Sequence, residues 1–535
     1  MRILAVAAAV ILLVAGASAT IWYFSGSGND ANSGTSWAQA KRTPYDLREL
    51  TSIGDTVFFG TGTYYIDTFS IAVDTGTVIA CSSFADTNGS GKWHFAVFQG
   101  GKQQSGWSNY SGNVYRIANN DTSDAGGLFQ NDSIMRYQTS ISAVDAPGEF
   151  TKSSGYLYVY CYDLGSGYDP DNYYMNYVFR PILVVLNYLG GGRDRTWLDG
   201  VIFHGIYFKY GSPQIVRAYD ALHLKNTVFR KCKFTHATSF NSVGSDNPCM
   251  IHSGTNDSPN MSRGLVIASC SLGYSRAHSG ADHGTGITLY NARNVRIDSS
   301  VFFGTYTGDC IQFKRDVDSS VVRYCRFDPT SAMGGIKFYS LCDWDSIYFN
   351  TVYANFSSHG FYMPDITSSG IGRSKNMFCL FNTIVGQGSA MNAYDVVMSS
   401  GEIDPDSVYF KYNVYYWSST TPVNRAFRLI DSSIVRHYVI DSNAYYMVDT
   451  TKFYVAGTGY TWGTWRSVRG HDLRSDLYSS LAGLGFIDYP TDLRRNVSAE
   501  ISPPITVGGV QCTKYGAYQD APAATATRKL FMIRR

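Results

Sequence analysis

The sequence predicts an all-β solenoid, a fold in which one short coil of strands repeats along the chain. Three observations predict it. Segments of the middle region align on Ile287, Ile311, Ile336 and Phe361, which lie 24, 25 and 25 residues apart. Apolar and polar residues alternate within each segment, as in strands with one buried face. The 535-residue chain is also rich in strand and turn formers, with 41 tyrosines and 52 glycines.

Each coil of this repeat carries at least two short strands. The aligned strands are followed by a second series, which comprises NVRIDSSVF (294–302), SVVRYCRF (320–327), SIYFNTVY (346–353), NMFCLFNTIV (376–385) and SVYFKYNVYY (407–416). At roughly 3.3 Å per residue, a 25-residue coil has a contour of about 80 Å. One coil cannot bury its apolar side alone, so neighbouring coils must stack.

The ten cysteines are spread along the chain without a Cys-x-x-Cys pair, so they do not indicate a zinc site. Cys232, Cys270, Ser300 and Cys325 occupy one equivalent position of the repeat. Thiols stacked in the core are therefore at least as well supported as disulfides, which export would permit. The disulfide connectivity stays open.

Residues 1–19 have the pattern of a secretory signal peptide. Arg2 precedes an apolar run, and Ala17-Ser18-Ala19 matches the small-x-small cleavage pattern. We therefore expect bacterial-type export to the periplasm or the medium, with no membrane contact beyond the cleaved peptide. The formal net charge of +2 gives no indication of a nucleic-acid partner.

Several segments resemble right-handed parallel β-helix proteins of the pectate-lyase-like superfamily. The resemblance rests on the repeat, on IWYFSGSGNDANSGTSWAQA (21–40) and IGDTVFFGTGTYY (53–65), and on FIDYPTDLRRNVSAEISPPITVGG (486–509). It implies a right-handed parallel β-helix with a small all-β insertion. The expected organisation is a signal peptide (1–19), a cap with the first coils (20–104), the insertion (105–180), the main β-helix (181–425), C-terminal coils and cap (426–520) and a tail (521–535).

Stacking predicts which side chains lie side by side on the outer face of the coils. One predicted column contains Thr288, Gln312, Lys337 and Tyr362, and the next contains Tyr290, Lys314 and Tyr339. Asp309 and His359 share a third column, at the starts of the strands. Gly286, Cys310, Gly335 and Gly360 are expected to form a low outer groove between these columns.

A surface of lysine, tyrosine and acid suits an acidic glycan, because an aromatic face packs on sugar C–H groups. In β-elimination a base removes the proton beside the uronate carboxylate, while cations neutralise the developing charge. Like-charge repulsion between Lys314 and Lys337 would lower a lysine pKa. We predict Lys337 as the base, Lys314 as the neutralising cation, and Asp309 as a further catalytic residue. Predicted substrate-binding residues are Tyr290, Gln312, Tyr339, Tyr362 and His359.

GDCIQFK (308–314) is also similar to the DDCIAIK-type segment of polygalacturonases, which are β-helix hydrolases. That family's paired aspartates are reduced here to Asp309, because Gly308 holds the other place. Its Gly-His-Gly is replaced by Met333-Gly334-Gly335. Glycoside hydrolysis needs two carboxyl groups at a defined separation, so this mechanism is disfavoured.

Two further predictions concern a loop histidine and a metal. His283, in the long turn before GITLY, is a candidate general acid or base. Asp282, Asp309 and Asp316 fall in neighbouring coils without forming a compact acidic cluster. Calcium usually takes 6–8 oxygen ligands, so it stays a candidate cofactor that the sequence does not establish.

The leading hypothesis is therefore an exported lyase that cleaves uronate-containing polysaccharide. The alternatives are a surface or adhesion protein that binds glycan without cleaving it, and a glycoside hydrolase with an unrecognised carboxylate pair. The sequence names neither the sugar nor the oligomeric state.

Overall fold

The structure is a computed structural model. It describes residues 19–45, 47–66, 71, 76–82, 94–119, 126–179, 181–185, 197–218, 223–239, 248–254, 262–277, 284–339, 342–354, 356–363, 376–386, 392–396, 408–417, 425–429, 438–447, 453–469, 472, 474–478, 486–488, 492–495, 505–507, 510–512, 514 and 516. The predicted signal peptide (apart from its last residue), His283 and the tail lie outside these residues.

The chain divides into two compact units. The first comprises residues 1–253, 263–270 and 277–282, and the second comprises residues 254–262, 271–276 and 283–535. Parallel strand pairs dominate both units, and in the coils a strand pairs with its equivalent in the next coil. The predicted fold class, an all-β parallel β-helix, is confirmed.

In the first unit the parallel strands form three series. One contains Ile21–Phe24, Thr56–Phe59, Val78–Cys81, Ile202–His204, Val228–Arg230 and Val266–Ala268. Another contains Gly62–Ile66, Ala96–Gly100, Ile206–Gly211 and Lys233–Ser239. The third contains Leu183–Val185, Gln214–Ala218 and Cys249–Ser253, beside Trp197–Asp199, His223–Lys225 and Ser262–Arg263. Short helices lie at Trp37–Gln39 and Leu47–Leu50.

The predicted all-β insertion is present in this unit and consists of two sheets. The four-stranded sheet contains Lys102–Gln104, Gly127–Gln130, Ser133–Ile134 and Met175–Val178. The five-stranded sheet contains Ser108–Ser111, Val114–Ala118, Arg136–Tyr137, Glu149–Ser153 and Tyr156–Tyr160. Single 3₁₀ turns lie at Ile141–Ala143 and Pro170–Asn172. Leu128, Phe150, Leu157 and Met175 are among the residues of its own apolar core.

In the second unit, three series of parallel strands form the coils. The first contains Arg296–Asp298, Val321–Arg323, Ser346–Tyr348, Met377–Leu380, Val408–Lys411 and Tyr438–Asp441. The second contains Ser271–Ala277, Val301–Tyr306, the start of Arg326–Phe338, Thr351–Ala354, Thr383–Gly386, Val414–Trp417, Ala444–Met447 and Asp476–Tyr478. The third, called the site sheet below, contains Thr285–Arg293, Asp309–Asp318, the end of Arg326–Phe338, Phe356–Met363, Asn392–Val396, Arg425–Leu429 and Phe453–Val455. It ends with Thr458–Tyr460, which pairs antiparallel with Phe453–Val455.

The described C-terminal elements are a helix at Trp462–Arg469 and two hairpins. The hairpins pair Phe486–Asp488 with Asp492–Arg495, and Ile505–Val507 with Val510–Cys512. Among the described residues, no helix has both the length and the apolar character needed to cross a membrane.

A hydrogen-bonded ladder runs along one corner of the second unit. Asn350, Asn382, Asn413 and Asn443 are fully buried on successive coils, and we call them the corner ladder. Each side-chain Nδ2 donates to a backbone carbonyl of the preceding strand series, for example from Asn382 to Ile347 at 3.0 Å. Each also donates to the next rung, and Asn443 ends the series by donating to Asp472 at 3.0 Å.

The corner ladder continues the position that the sequence identified through its cysteines. The Cys325 thiol donates to the carbonyl of Ile297, and the Cys325 N–H donates to Asn350 Oδ1 at 2.9 Å. In the first unit, Cys232 and Cys270 make the equivalent thiol contacts with the carbonyls of Phe203 and Phe229. All ten cysteines are free and buried, so the stacked-thiol alternative holds in the structure.

Candidate active site

Four adjacent strands of the site sheet bring the predicted residues together. Ile287 pairs with Ile311, Ile311 with Ile336, and Ile336 with Phe361, as the sequence alignment predicted. The outer column follows from the same registers. Thr288 pairs with Gln312, Gln312 with Lys337, and Lys337 with Tyr362.

The centre of the site is a pair formed by Asp309 and His359. The two residues are two coils apart, and Gly334 is paired with both of them. Asp309 Oδ1 lies 2.9 Å from His359 Nε2, and Gln312 Nε2 donates to Asp309 Oδ2 at 2.9 Å. The carboxylate is therefore held at both oxygens.

Gly334 is required because the two side chains meet above it. A Cβ atom at this position would lie 2.2 Å from His359 Nε2 and 2.6 Å from Asp309 Oδ1. Such distances are far shorter than van der Waals contact, so any side chain at position 334 would push the pair apart. The glycine thus lets two residues on alternate coils form one hydrogen bond.

The surroundings of Asp309 favour its ionised form. Burial by itself raises the pKa of Asp309, but the bond from His359, the charge of Lys337 and the bond from Gln312 outweigh it. The pKa of Asp309 is therefore held below its ordinary value. With an ionised acceptor at Oδ1, the His359 Nε2 carries the proton. In the neutral imidazole the lone pair then resides on Nδ1.

The two lysines share one aromatic ring. Lys314 Nζ lies 5.3 Å from the ring centroid of Tyr339 and 5.3 Å from that of Tyr290. Lys337 Nζ lies 4.7 Å from the Tyr339 centroid. Ring faces attract cations, so Tyr339 stabilises two ammonium groups on adjacent coils against their mutual repulsion.

The side chains are graded by depth. Asp309 is 0% exposed, His359 1%, Gln312 2% and Lys337 8%. Lys314, Tyr290 and Tyr339 are partly exposed. The solvent edge of the site is therefore aromatic and cationic, whereas Asp309, His359 and Gln312 lie beneath it.

The expected low outer groove of Gly286, Cys310, Gly335 and Gly360 is wrong, because all four residues are buried. Cys310 is fully buried, and burial raises the pKa of its thiol well above the ordinary value. A Cβ on Gly286 would lie 3.3 Å from the ring of Phe302, a core residue. Cys310 and Ile311 are thus two successive buried residues, and the strict alternation assumed from the sequence does not hold there.

Sequence reasoning placed Asp309 and His359 in one column but missed their direct contact. The available signal was their spacing of two repeat lengths, with a glycine at the intermediate position. The registers also add residues that were not predicted. Asn392 pairs with His359, and Asp395 pairs with Tyr362.

The predicted calcium ligands are divided. Asp309 is engaged with His359, whereas Asp316 lies 3.9 Å from a guanidinium nitrogen of Arg293. Asp282 lies outside the described residues. Across the described ranges, no group of three or more His, Cys, Asp or Glu side chains is placed to hold a metal ion.

Comparison with known proteins gives structural similarity without sequence similarity. No protein-family model and no curated protein sequence matches the chain. A structure of XylC in complex with xylose is similar at 10% identity, covering 82% of this chain and 86% of that one, with a TM-score of 0.47. Pectate lyase Pel9A is similar at 12% identity, covering 77% and 80%, with a TM-score of 0.37. PfbA, a surface adhesin of Streptococcus pneumoniae, is similar at 11% identity, covering 74% and 77%, with a TM-score of 0.28.

These comparisons concern the fold, because the identities are low and the similar proteins differ in what they do. The chain has a parallel β-helix fold, as its strand registers show directly. What the protein does must be argued from its own side chains.

Proposed function

We propose that this protein is an exported lyase that cleaves a uronate-containing polysaccharide by β-elimination. The observation that carries the proposal is a cationic and aromatic edge above a buried Asp309–His359 pair. Lys314 and Lys337 both face the ring of Tyr339, and the charge of Lys337 also acts on the carboxylate of Asp309. The two ammonium groups suit an anionic sugar, and the tyrosine rings suit its C–H faces.

The geometry supports a different division of roles from the one predicted from the sequence. Asp309 and the Tyr339 ring both favour a charged Lys337, so this lysine is better suited to neutralise the substrate carboxylate than to act as the base. His359 is the better base, because Asp309 orients its ring and leaves the lone pair on Nδ1.

The proposed reaction then follows from these positions. His359 Nδ1 takes the proton from the carbon beside the carboxylate, while Lys337 and Lys314 stabilise the negative charge that develops on the carboxylate oxygens. The electron pair forms a carbon–carbon double bond, and the glycosidic carbon–oxygen bond at the β position breaks. The departing oxygen takes a proton from water, and His359 Nδ1 gives the proton it accepted to water. The new chain end is an unsaturated uronate.

The test is incubation of the full chain with galacturonan, alginate and glycosaminoglycans, followed by ultraviolet absorbance of the unsaturated product. The wild type should generate the chromophore with at least one polymer, and His359→Ala should reduce the rate about 10²–10⁴-fold.

Lys337→Ala should reduce the rate comparably, whereas Lys337→Arg, which keeps the charge but cannot serve as a base, should retain more activity. If Lys337→Arg is as inactive as Lys337→Ala while His359→Ala is active, the base is Lys337. Reducing ends without the chromophore would instead establish hydrolysis.

A second candidate function is glycan binding without cleavage. The observation that favours it is the near-complete burial of Asp309 and His359, which leaves Lys314, Tyr290 and Tyr339 as the accessible part of the site. Binding of an acidic glycan without any product, weakened by Lys314→Ala but unchanged by His359→Ala, would establish this function.

A further inference from the structure

The insertion of the first unit presents an aromatic face that its own folding does not require. In strand Tyr156–Tyr160, Leu157 and Val159 are fully buried in the insertion core. Tyr156 and Tyr158 alternate with them and therefore lie on the opposite face of the five-stranded sheet. Tyr110 is 46% exposed and Tyr156 is 36% exposed. Isolated exposed tyrosines are ordinary, but these are clustered.

The cluster is organised around Arg116. Its guanidinium carbon lies 5.4 Å from the ring centroid of Tyr110 and 5.0 Å from that of Tyr156. The ring of Tyr110 meets the ring of Tyr158 edge to face, with centroids 5.0 Å apart. The backbone of Arg116 is paired with Tyr158 on the neighbouring strand. We call Tyr110, Arg116, Tyr156 and Tyr158 the tyrosine platform.

Arg116 meets rings but no acid. Among the residues that the structure describes, no carboxylate forms an ion pair with Arg116, whose side-chain contacts are the two cation–π contacts. Arg136 of the same insertion is different, since it lies 3.7 Å from Glu149. The guanidinium of Arg116 therefore keeps its fork of N–H donors for a ligand, and the two rings restrict its orientation.

We propose that the tyrosine platform is a second binding site, separate from the candidate active site, and that its ligand is an acidic polysaccharide. The exposed rings of Tyr110 and Tyr156 offer flat apolar faces for sugar C–H groups. The Arg116 fork matches the two oxygens of a uronate carboxylate. Charge complementarity is the specific argument for an acidic sugar over a neutral one.

The size of the platform favours a glycan over a protein partner. A stable protein interface buries about 800 Å² on each side and includes some 20–30 residues. The platform consists of four side chains, one of which, Tyr158, is only 5% exposed. One or two sugar rings cover such a surface completely. The inference shares its ligand class with the proposed function but rests on different residues.

The experiment measures binding of full-length Lys314→Ala/Lys337→Ala protein, so that the candidate active site contributes little. The probes are oligosaccharides of galacturonan, alginate and hyaluronan, each compared with its carboxyl-reduced, neutral counterpart by calorimetry. In this background we expect at least one acidic oligosaccharide to bind at least tenfold more tightly than its neutral counterpart. Adding Arg116→Ala should abolish that preference, and adding Tyr156→Ala should weaken binding at least tenfold. Arg116→Lys should restore only part of the preference.

Matched controls are Arg136→Ala, which removes an exposed arginine already paired with an acid, and Tyr45→Ala, which removes a tyrosine that is 62% exposed outside the insertion. Neither should change binding. If the proteins with added Arg116→Ala or Tyr156→Ala bind the oligosaccharides as tightly as the Lys314→Ala/Lys337→Ala background does, the inference is wrong. It is also wrong if the protein captures a protein partner and binds no glycan. These outcomes are independent of the proposed function. If the substitutions in the tyrosine platform do not change binding but His359→Ala loses turnover, this inference is wrong and the lyase proposal still stands.

Discussion

The corner ladder and the candidate active site are both columns of buried polar side chains on successive coils of the second unit, yet they are built on opposite rules. The ladder repeats one residue type, asparagine, on four coils. The site changes residue at every coil, with Asp309, Gly334 and His359 in one column and Gln312 and Lys337 in the other.

The two columns also differ in what they leave for a ligand. Asn382 accepts two hydrogen bonds from Asn350 and donates two, to Ile347 and Asn413, so the amide has reached its full capacity of four. The site instead holds two cations around one ring and a carboxylate hydrogen-bonded to a histidine across a glycine. A closed, repeated column stabilises the coils, and a varied, charged column can act on a ligand.

The strongest test of this contrast is Gly334→Ala. The added methyl group would overlap His359 Nε2 and Asp309 Oδ1, so the pair must separate. If the pair is the proton-transferring unit, we expect the rate of product formation to fall about 10²–10⁴-fold, the range for loss of a general base. Steady-state kinetics on whichever polymer is cleaved measures the effect.

The control for this substitution is Gly463→Ala, because a Cβ at that position has no atom within 4 Å. It should leave the rate unchanged. An active Gly334→Ala protein would show that Asp309 and His359 pack the coils without taking part in the reaction.

The corner ladder predicts the converse, a loss of stability without a loss of chemistry. Asn382→Ala removes four buried hydrogen bonds, each contributing about 1 kcal/mol, so we expect the free energy of unfolding to fall by about 3–4 kcal/mol. Urea denaturation followed by circular dichroism measures it. The turnover number of the folded fraction should be unchanged. Asn32→Ala, which removes a single bond to the carbonyl of Ala40, is the control and should cost about 1 kcal/mol.

The contrast also explains how much of the fold could be predicted from the sequence. The registers of Ile287, Ile311, Ile336 and Phe361 were predicted correctly because each coil must bury the same side. The sequence revealed this corner position of the coils only where a cysteine occupies it, as Cys325 does. Its continuation as asparagine was missed because the residue type changes from Cys325 to Asn350, although the side chains of both donate to the carbonyls of the preceding strands.

The site was predicted less completely, for physical reasons. Period-two alternation put Cys310 on the outside, whereas the structure buries both Cys310 and Ile311. The bond between Asp309 and His359 crosses two coils, and a repeat alignment compares positions without measuring side-chain reach. The roles proposed for the lysines rest on the Tyr339 ring and on Asp309, and only three-dimensional contacts reveal these neighbours.

A smaller effect is expected at the solvent edge of the site. Tyr339→Leu removes the ring that both ammonium groups face, and cation–π contacts contribute about 0.5–1 kcal/mol each at exposed sites. We therefore expect KM to rise about tenfold with little change in kcat. The control is Tyr409→Leu, which removes a ring 5.9 Å from Lys411 Nζ, outside the site sheet. A large fall in kcat would instead place Tyr339 in the proton transfer itself.

The smallest predicted effect is a pH dependence of stability that comes from Asp309. Its folded pKa lies below the ordinary value of 3.8, so ionised Asp309 stabilises the fold above that pH, and this contribution is lost as the pH falls through the folded value. Asp309→Asn lacks the contribution at every pH. The difference in urea midpoint between wild type and Asp309→Asn should therefore shrink as the pH falls below 3.8. A difference that grows on acidification would mean that the site holds Asp309 protonated, which would remove the orienting role assigned to it beside His359.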